Sequence, residues 1–322
     1  MTLPATLPPP STTPSPVTAD LRLGQVPAVS AAGDAVWAAH GCAVSRIDAR
    51  SGREVAKVPL PHIRGGCWVA GMAAGAGALW VSQSSERLLR VDPRSNRVAA
   101  ALALSGVGTP AVTARAVWVE CCWSGIASHH PTGLLVRVDP ARVRVAATVR
   151  LPGLPAAVAA GPSGLWVTGA GGPIRRVDPA GRRVAATIRV PGGLGGLPGR
   201  TGPAGEVGDV LVGPDAVWVS DPAGGRVLRV DPARNRLAPA GVFHRGELIG
   251  PSLVAAGGQV WLTDWDILRA LGEPGRQASL AETTIGLGLG AEEPISDLAA
   301  SPGVVWVAGP VGLLRVELAR LR

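Results

Sequence analysis

The sequence contains no tyrosine and one phenylalanine in 322 residues, so bulky aromatic packing falls almost wholly to its 10 tryptophans. Lysine occurs once, at Lys57, which leaves arginine to supply nearly all of the positive charge behind a formal net charge of +8. No apolar stretch is long and periodic enough for a membrane-spanning or core helix, which removes transmembrane and helical-bundle architectures. A cationic segment followed by an apolar one is also missing from the start, so the chain as written carries no export signal. The arginine excess comes with abundant Ala, Gly, Pro and Val, the signature of a GC-rich bacterial genome. An anionic partner would be the alternative, but no basic run interleaved with aromatics points to nucleic acid.

What is present is turn chemistry and short apolar runs. With 44 glycines, 30 prolines and 47% hydrophobic residues, the composition predicts an all-β chain with a large core. Residues 1–16, MTLPATLPPPSTTPSP, are expected to form an extended, disordered Pro/Ser/Thr-rich tail. Such tails often follow export signals or lipid anchors. The expected home is therefore secreted or cell-envelope, with the signal missing from this chain, and a cytoplasmic home is the alternative.

From residue 17 to 322 the sequence repeats. The pattern apolar-Trp-apolar recurs at Trp37, Trp80, Trp118, Trp166, Trp218, Trp261 and Trp306, at spacings of 43, 38, 48, 52, 43 and 45 residues. These are blade-sized intervals. A second marker follows most of them: SRIDARSGREV at Asp48, LRVDPRSNRVA at Asp92, VRVDPARVRVA at Asp139, RRVDPAGRRVA at Asp178 and LRVDPARNRLA at Asp231. In D-P-x-x-[NG] the Asp caps its own backbone, Pro fixes φ, and Asn or Gly takes the left-handed position, which makes a tight hairpin. Arginines flanking these turns, among them Arg53, Arg97, Arg183 and Arg236, are expected to pair with the turn aspartates. In the sixth unit LRALGEPGRQASL replaces the turn, and in the third an insertion delays it.

Each unit reads as four antiparallel strands, and seven units make a seven-bladed β-propeller. The seventh lacks an outer strand. ADLRLGQVPAVSAAG, before the first tryptophan, matches ATVRLPGLPAAVAAG at an internal blade junction, so residues 18–25 are expected to supply it and close the ring. A single closed ring is expected to be monomeric.

The Trp and RVDPxxNRV elements resemble the YVTN-type repeat, and residues 17–322 are similar to the bacterial family of streptogramin (virginiamycin B) lyases and their relatives. The resemblance implies a site on the face where Trp strands end and inner strands begin, with Glu, His and Mg²⁺ in the lyases. In that family a Glu commonly stands three residues after the repeat tryptophan and a His in a GPHG-like inner-strand start. This sequence has neither, and Ser252 in GPSL replaces the second.

Three residues past each repeat tryptophan the sequence places His40, Gln83, Cys121, Gly169, Asp221, Asp264 and Gly309 around the channel mouth. The inner-strand starts add Asp209, Ser252 and Asp297, and Trp265 neighbours Asp264. Asp209, Asp221, Asp264 and Asp297 would converge as ligands for Ca²⁺ or Mg²⁺, or as solvated loop acids. Cys42 and Cys67, on adjoining loops of blades one and two, are the candidate disulfide. The insertion ECCWSGIASHHPTG offers Cys121, Cys122, His129 and His130, but vicinal cysteines suit one tetrahedral ion poorly. With no catalytic set carried over, the favoured reading is a non-catalytic module for a small ligand or protein partner. A metal-assisted lyase or lactone hydrolase is the alternative.

Overall fold

The computed structural model describes residues 15–63, 66–84, 86–124, 132–169, 172–178, 180, 183–194, 208–222, 224–244, 252–264, 267–271, 280–287 and 295–321; the side chains of residues 122–124, 239–244, 264 and 280–286 are not described. Residues 1–14 of the expected tail lie outside this set.

The hairpin turns form as their residue types dictate. Asp231 Oδ1 accepts the amides of Ala233 and Arg234 at 2.9 and 3.1 Å, and Asp139 repeats this with Ala141 and Arg142. Gly52, Asn96 and Asn235 close their turns at φ of 68°, 52° and 50°. Third-blade Val143 sits in the same place at φ 49°, where a β-branched residue is strained. The ion pairs differ in part from expectation. Asp139 and Asp231 take Arg142 and Arg234, three residues on, at 2.9 and 2.8 Å, because the turn brings those side chains back over the carboxylate. Only Arg183, at 3.8 Å from Asp178, pairs as the sequence suggested among the described residues.

Each turn joins the third strand of a blade to its outer strand, and seven four-stranded antiparallel sheets result. The first comprises Ala28–Ala32, Ala35–His40, Ala43–Asp48 and Glu54–Pro59. Six blades use four consecutive strands. The seventh takes Asp297–Ser301, Val304–Ala308 and Leu313–Glu317 from the C-terminal end and Val17–Leu21 from the N-terminal end. That closing strand is shorter than residues 18–25. Beyond Leu21 the chain turns through Gly24, at φ 77°, and the Val26 amide donates to the Gly309 carbonyl instead.

The core is seven clusters, one per seam between neighbouring blades, and each contains one repeat tryptophan. Trp37 packs on Leu79, Val81 and Leu89 of blade two, and Trp306 packs on Val36 and Ile47 of blade one across the ring closure. Opposite each tryptophan in register stands the arginine of the RVD strand: Arg46, Arg90, Arg137, Arg176, Arg229 and Arg315 in six blades. Five of these guanidinium groups lie 5.5 to 5.9 Å from the ring centroid of their own tryptophan. Three of them, Arg46, Arg176 and Arg315, also reach the next blade. Arg46 Nη1 donates to the Pro93 carbonyl at 2.9 Å, and Arg176 Nη1 donates to the Pro232 carbonyl at 2.9 Å and to Asn235 Oδ1 at 3.1 Å. In blade six the register puts Ala270 opposite Trp261, so that tryptophan has no arginine opposite it.

Arg176→Lys keeps the charge but cannot stack and fork at once. It is expected to lower unfolding free energy by about 1–2 kcal/mol in urea titration. Val143→Asn relieves the left-handed strain and is expected to raise it by roughly 0.5 kcal/mol, net of some lost apolar contact.

Candidate functional site

Trp strands end on the face where inner strands begin, and the polar residues there are built into the ring. Asp297 opens the inner strand of blade seven. Its Oδ2 accepts the Val29 amide of blade one at 2.9 Å, and its Oδ1 accepts the Ser252 hydroxyl of blade six at 2.9 Å and the Leu298 amide at 2.8 Å. Asp209 opens the inner strand of blade five and accepts the Leu253 amide of blade six at 3.2 Å. Asp209, Ser252 and Asp297 thus form a half-buried row that ties blades five, six, seven and one together. Burial pushes the Asp209 carboxyl up to about 6, and burial together with the neighbouring Asp209 charge pushes Asp297 up to about 7.

Asp221 faces another way. Fully buried, it accepts from Arg226 Nε at 2.7 Å, and the Nη2 of that arginine donates to the Gly193 carbonyl at 2.6 Å. The four-aspartate ligand set therefore does not assemble from its described members: Asp209 and Asp297 serve backbone amides and Asp221 serves an arginine. The Asp264 side chain and Trp265 lie outside the described residues, as do His129, His130 and the side chains of Cys122 and His244.

His40 does not face the aspartates as an acid–base partner. Its Nε2 lies 2.7 Å from Ser45 Oγ, and Ser45 donates to Glu54 Oε1 at 2.8 Å. The order is histidine, serine, carboxylate, so His40 donates to a buried serine rather than activating it. Burial, and then the Lys57 charge, hold the His40 imidazole below its ordinary pKa. Gln83 is fully buried, its Nε2 donating to the Pro61 carbonyl at 2.7 Å. Cys121 is buried and oxidised.

Cys42 and Cys67 are joined as a disulfide between the blade-one hairpin and the loop entering blade two, with Cα atoms 5.0 Å apart. Cys67 Sγ lies 3.6 Å from His62 Nδ1. Trp68, the next residue, is 53% exposed, whereas all seven repeat tryptophans are buried.

Sequence reasoning missed Glu120. It lies two residues past Trp118, fully buried, with the Thr109 amide donating to it and Oε2 unpartnered among the described residues. Burial pushes its carboxyl up to about 8. A Cβ at Gly108 would fall 1.8 Å from Glu120 Oε1, so glycine there makes the room. The signal was available: the other six residues in that column, Ala39, Ser82, Thr168, Ser220, Thr263 and Ala308, are small and uncharged.

No protein-family model and no curated protein matches the chain. Solved structures do. It is similar to virginiamycin B lyase from Staphylococcus aureus at 15% identity and TM-score 0.67, over 92% of this chain and 95% of the lyase. A chain of the mitotic checkpoint complex aligns at 14% identity and TM-score 0.72, covering 98% and 96%. BamB from Moraxella catarrhalis aligns at 15% and 0.57, covering 90% and 82%. At these identities the likeness establishes the shared propeller fold.

The pKa shifts fix the sign of the pH dependence. Asp209, Asp297 and Glu120 have folded-state values above those of the unfolded chain. Their contribution to stability is complete below pH about 4 and is lost as pH rises toward 6, 7 and 8 respectively. Asp48, Asp92, Asp139 and Asp231, depressed by hydrogen bonds within their turns, contribute above pH about 4 and lose that contribution in stronger acid. The thermal midpoint is expected to peak near pH 4–5 and fall toward pH 8. Asp297→Asn should flatten the unfolding free energy by about 1.4 kcal/mol per pH unit between pH 4 and 7; an unchanged slope would rule out this assignment.

Proposed function

We propose that this chain is a non-catalytic binding propeller of the bacterial cell envelope, taking a small ligand or a protein on the face that carries Trp68 and the Cys42–Cys67 disulfide. The observation that carries this reading is the use of Asp209, Ser252 and Asp297 as an inter-blade latch, which commits these side chains to holding neighbouring blades together. Trp68 supports it by presenting a large amphipathic ring to solvent beside that face. The disulfide supports an oxidising compartment. Among the described residues no helix is long and apolar enough to cross a membrane, and one similar fold belongs to a multiprotein complex.

One observation favours a second reading, a metal-assisted lyase or lactone hydrolase. Glu120, buried, and Asp297, half-buried, have carboxyls pushed up to about 8 and about 7, which is what a general acid or base needs. Ca²⁺ or Mg²⁺ would have to draw Asp209, Asp221 or Asp297 away from the hydrogen bonds they make.

Two measurements separate the readings. Thermal shift with Mg²⁺, Ca²⁺ and EDTA is expected to show no change, and a streptogramin B lactone incubated with protein and Mg²⁺ is expected to stay cyclic by mass spectrometry. Ring opening that disappears in Glu120→Gln or Asp297→Asn would establish the enzyme. For the binding reading, titration with cell-wall saccharides and peptides is expected to quench tryptophan fluorescence saturably. Trp68→Ala should abolish that response, and its persistence would move the binding site elsewhere.

A further inference from the structure

Cys42, His62 and Cys67 are the one group of three or more His, Cys, Asp or Glu residues among the described residues with spacing that fits a metal ion, their ligand atoms all lying within 4.8 Å of one another. We propose that these residues form a Cys₂His zinc site when the disulfide is reduced, so that disulfide and zinc are alternative occupants of one place in the seam between blades one and two.

Once the sulfur–sulfur bond is reduced, the spacing suits the ion with little rearrangement. A tetrahedral zinc about 2.3 Å from sulfur and about 2.0 Å from nitrogen sets those two ligands about 3.5 Å apart. Cys67 Sγ and His62 Nδ1 stand at 3.6 Å. Two thiolates on one zinc sit about 3.8 Å apart, and Cα atoms 5.0 Å apart can present them with small side-chain rotations. Two thiolates and a neutral imidazole match the borderline-soft character of zinc and leave a fourth position open to solvent, on which His62 is exposed.

The support for these ligands does not depend on the sulfur–sulfur bond. The Leu60 amide donates to the Cys42 carbonyl at 2.8 Å, tying the hairpin to the segment that leads to His62. Gln83 holds the Pro61 carbonyl at 2.7 Å. On the other side, the Ser84 amide and hydroxyl hold the carbonyls of Trp68 and Gly66, at 2.8 and 2.9 Å, on either side of Cys67. Each ligand is therefore fixed through a neighbouring peptide group, the condition for a site that survives reduction.

The exchange balances. A dithiol reductant gives two electrons and two protons to the bond, becoming a disulfide itself and leaving two cysteine thiols. Zinc then displaces both thiol protons. This inference stands independently of what the propeller binds.

Protein reduced with a phosphine, freed of reductant under nitrogen and titrated with Co²⁺ as the spectroscopic stand-in should develop a near-ultraviolet thiolate-to-cobalt band at one ion per chain. Zn²⁺ should bleach it. Oxidised protein should give no band. His62→Ala, at an exposed position that leaves folding intact, should weaken binding at least tenfold. Cys42→Ser/Cys67→Ser, which retains Cys121 and Cys122, should abolish the band, with tryptophan fluorescence confirming that it folds. No band in the reduced protein, unchanged affinity in His62→Ala, or a band persisting in the double serine variant would each overturn the proposal.

Discussion

Everything in this molecule hangs on a tryptophan buried in each seam between blades. A four-stranded blade has two apolar faces and cannot bury either alone, so stability comes from stacking against neighbours. The repeat tryptophan supplies the largest single piece of that stacking. A buried indole removes roughly 150–250 Å² from water, worth on the order of 5 kcal/mol before entropy is charged against it. Seven such seams close a ring with no free end, because Val17–Leu21 pairs with Leu313–Glu317. Where an arginine stands opposite the tryptophan, it couples the hydrophobic contact to a directional one, since a guanidinium can lie over the ring and still donate to the next blade's turn.

The same logic of contacts between blades operates at the channel mouth. Inner strands begin there, side by side around the ring. Asp209 and Asp297 accept amides from the following blade, doing at the inner end of the seam what arginine does toward the outer end. The carboxylates are therefore spent on amides and burial, which is also the origin of their raised pKa values. Glu120 differs: it occupies a column where small residues suffice and retains an unpartnered oxygen among the described residues.

The fold was legible in the sequence because the repeat fixes both a period and a phase. Trp spacing yields blade number, the D-P-x-x-[NG] turn yields strand order, and the sequence match at the N-terminal end yields closure. What escaped were pairwise facts across seams. Arg176 and Arg53 look alike in a linear reading, yet the first stands opposite a tryptophan and the second flanks a turn; only strand register separates them. Similarly, counting three residues past each tryptophan located the channel-mouth positions but not their partners. His40 turned to Ser45 and Asp221 to Arg226, both within their own blades. Partners are set by three-dimensional neighbours that a period cannot name.

The seam between blades one and two is held more than once. Trp37 and its cluster bury the interface, Arg46 clasps Pro93, and the Cys42–Cys67 bond adds a covalent tie with a sequence separation of 25. A loop of that length is worth about 3 kcal/mol in the chain-entropy model. The seam between blades four and five has its tryptophan cluster and arginine clasp and, among the described residues, no disulfide. The covalent tie is thus additional to what closes a seam elsewhere in the same ring. A bond that the fold can spare, beside an exposed histidine and held by hydrogen bonds to neighbouring peptides, is free to be kept for its chemistry rather than for its strength.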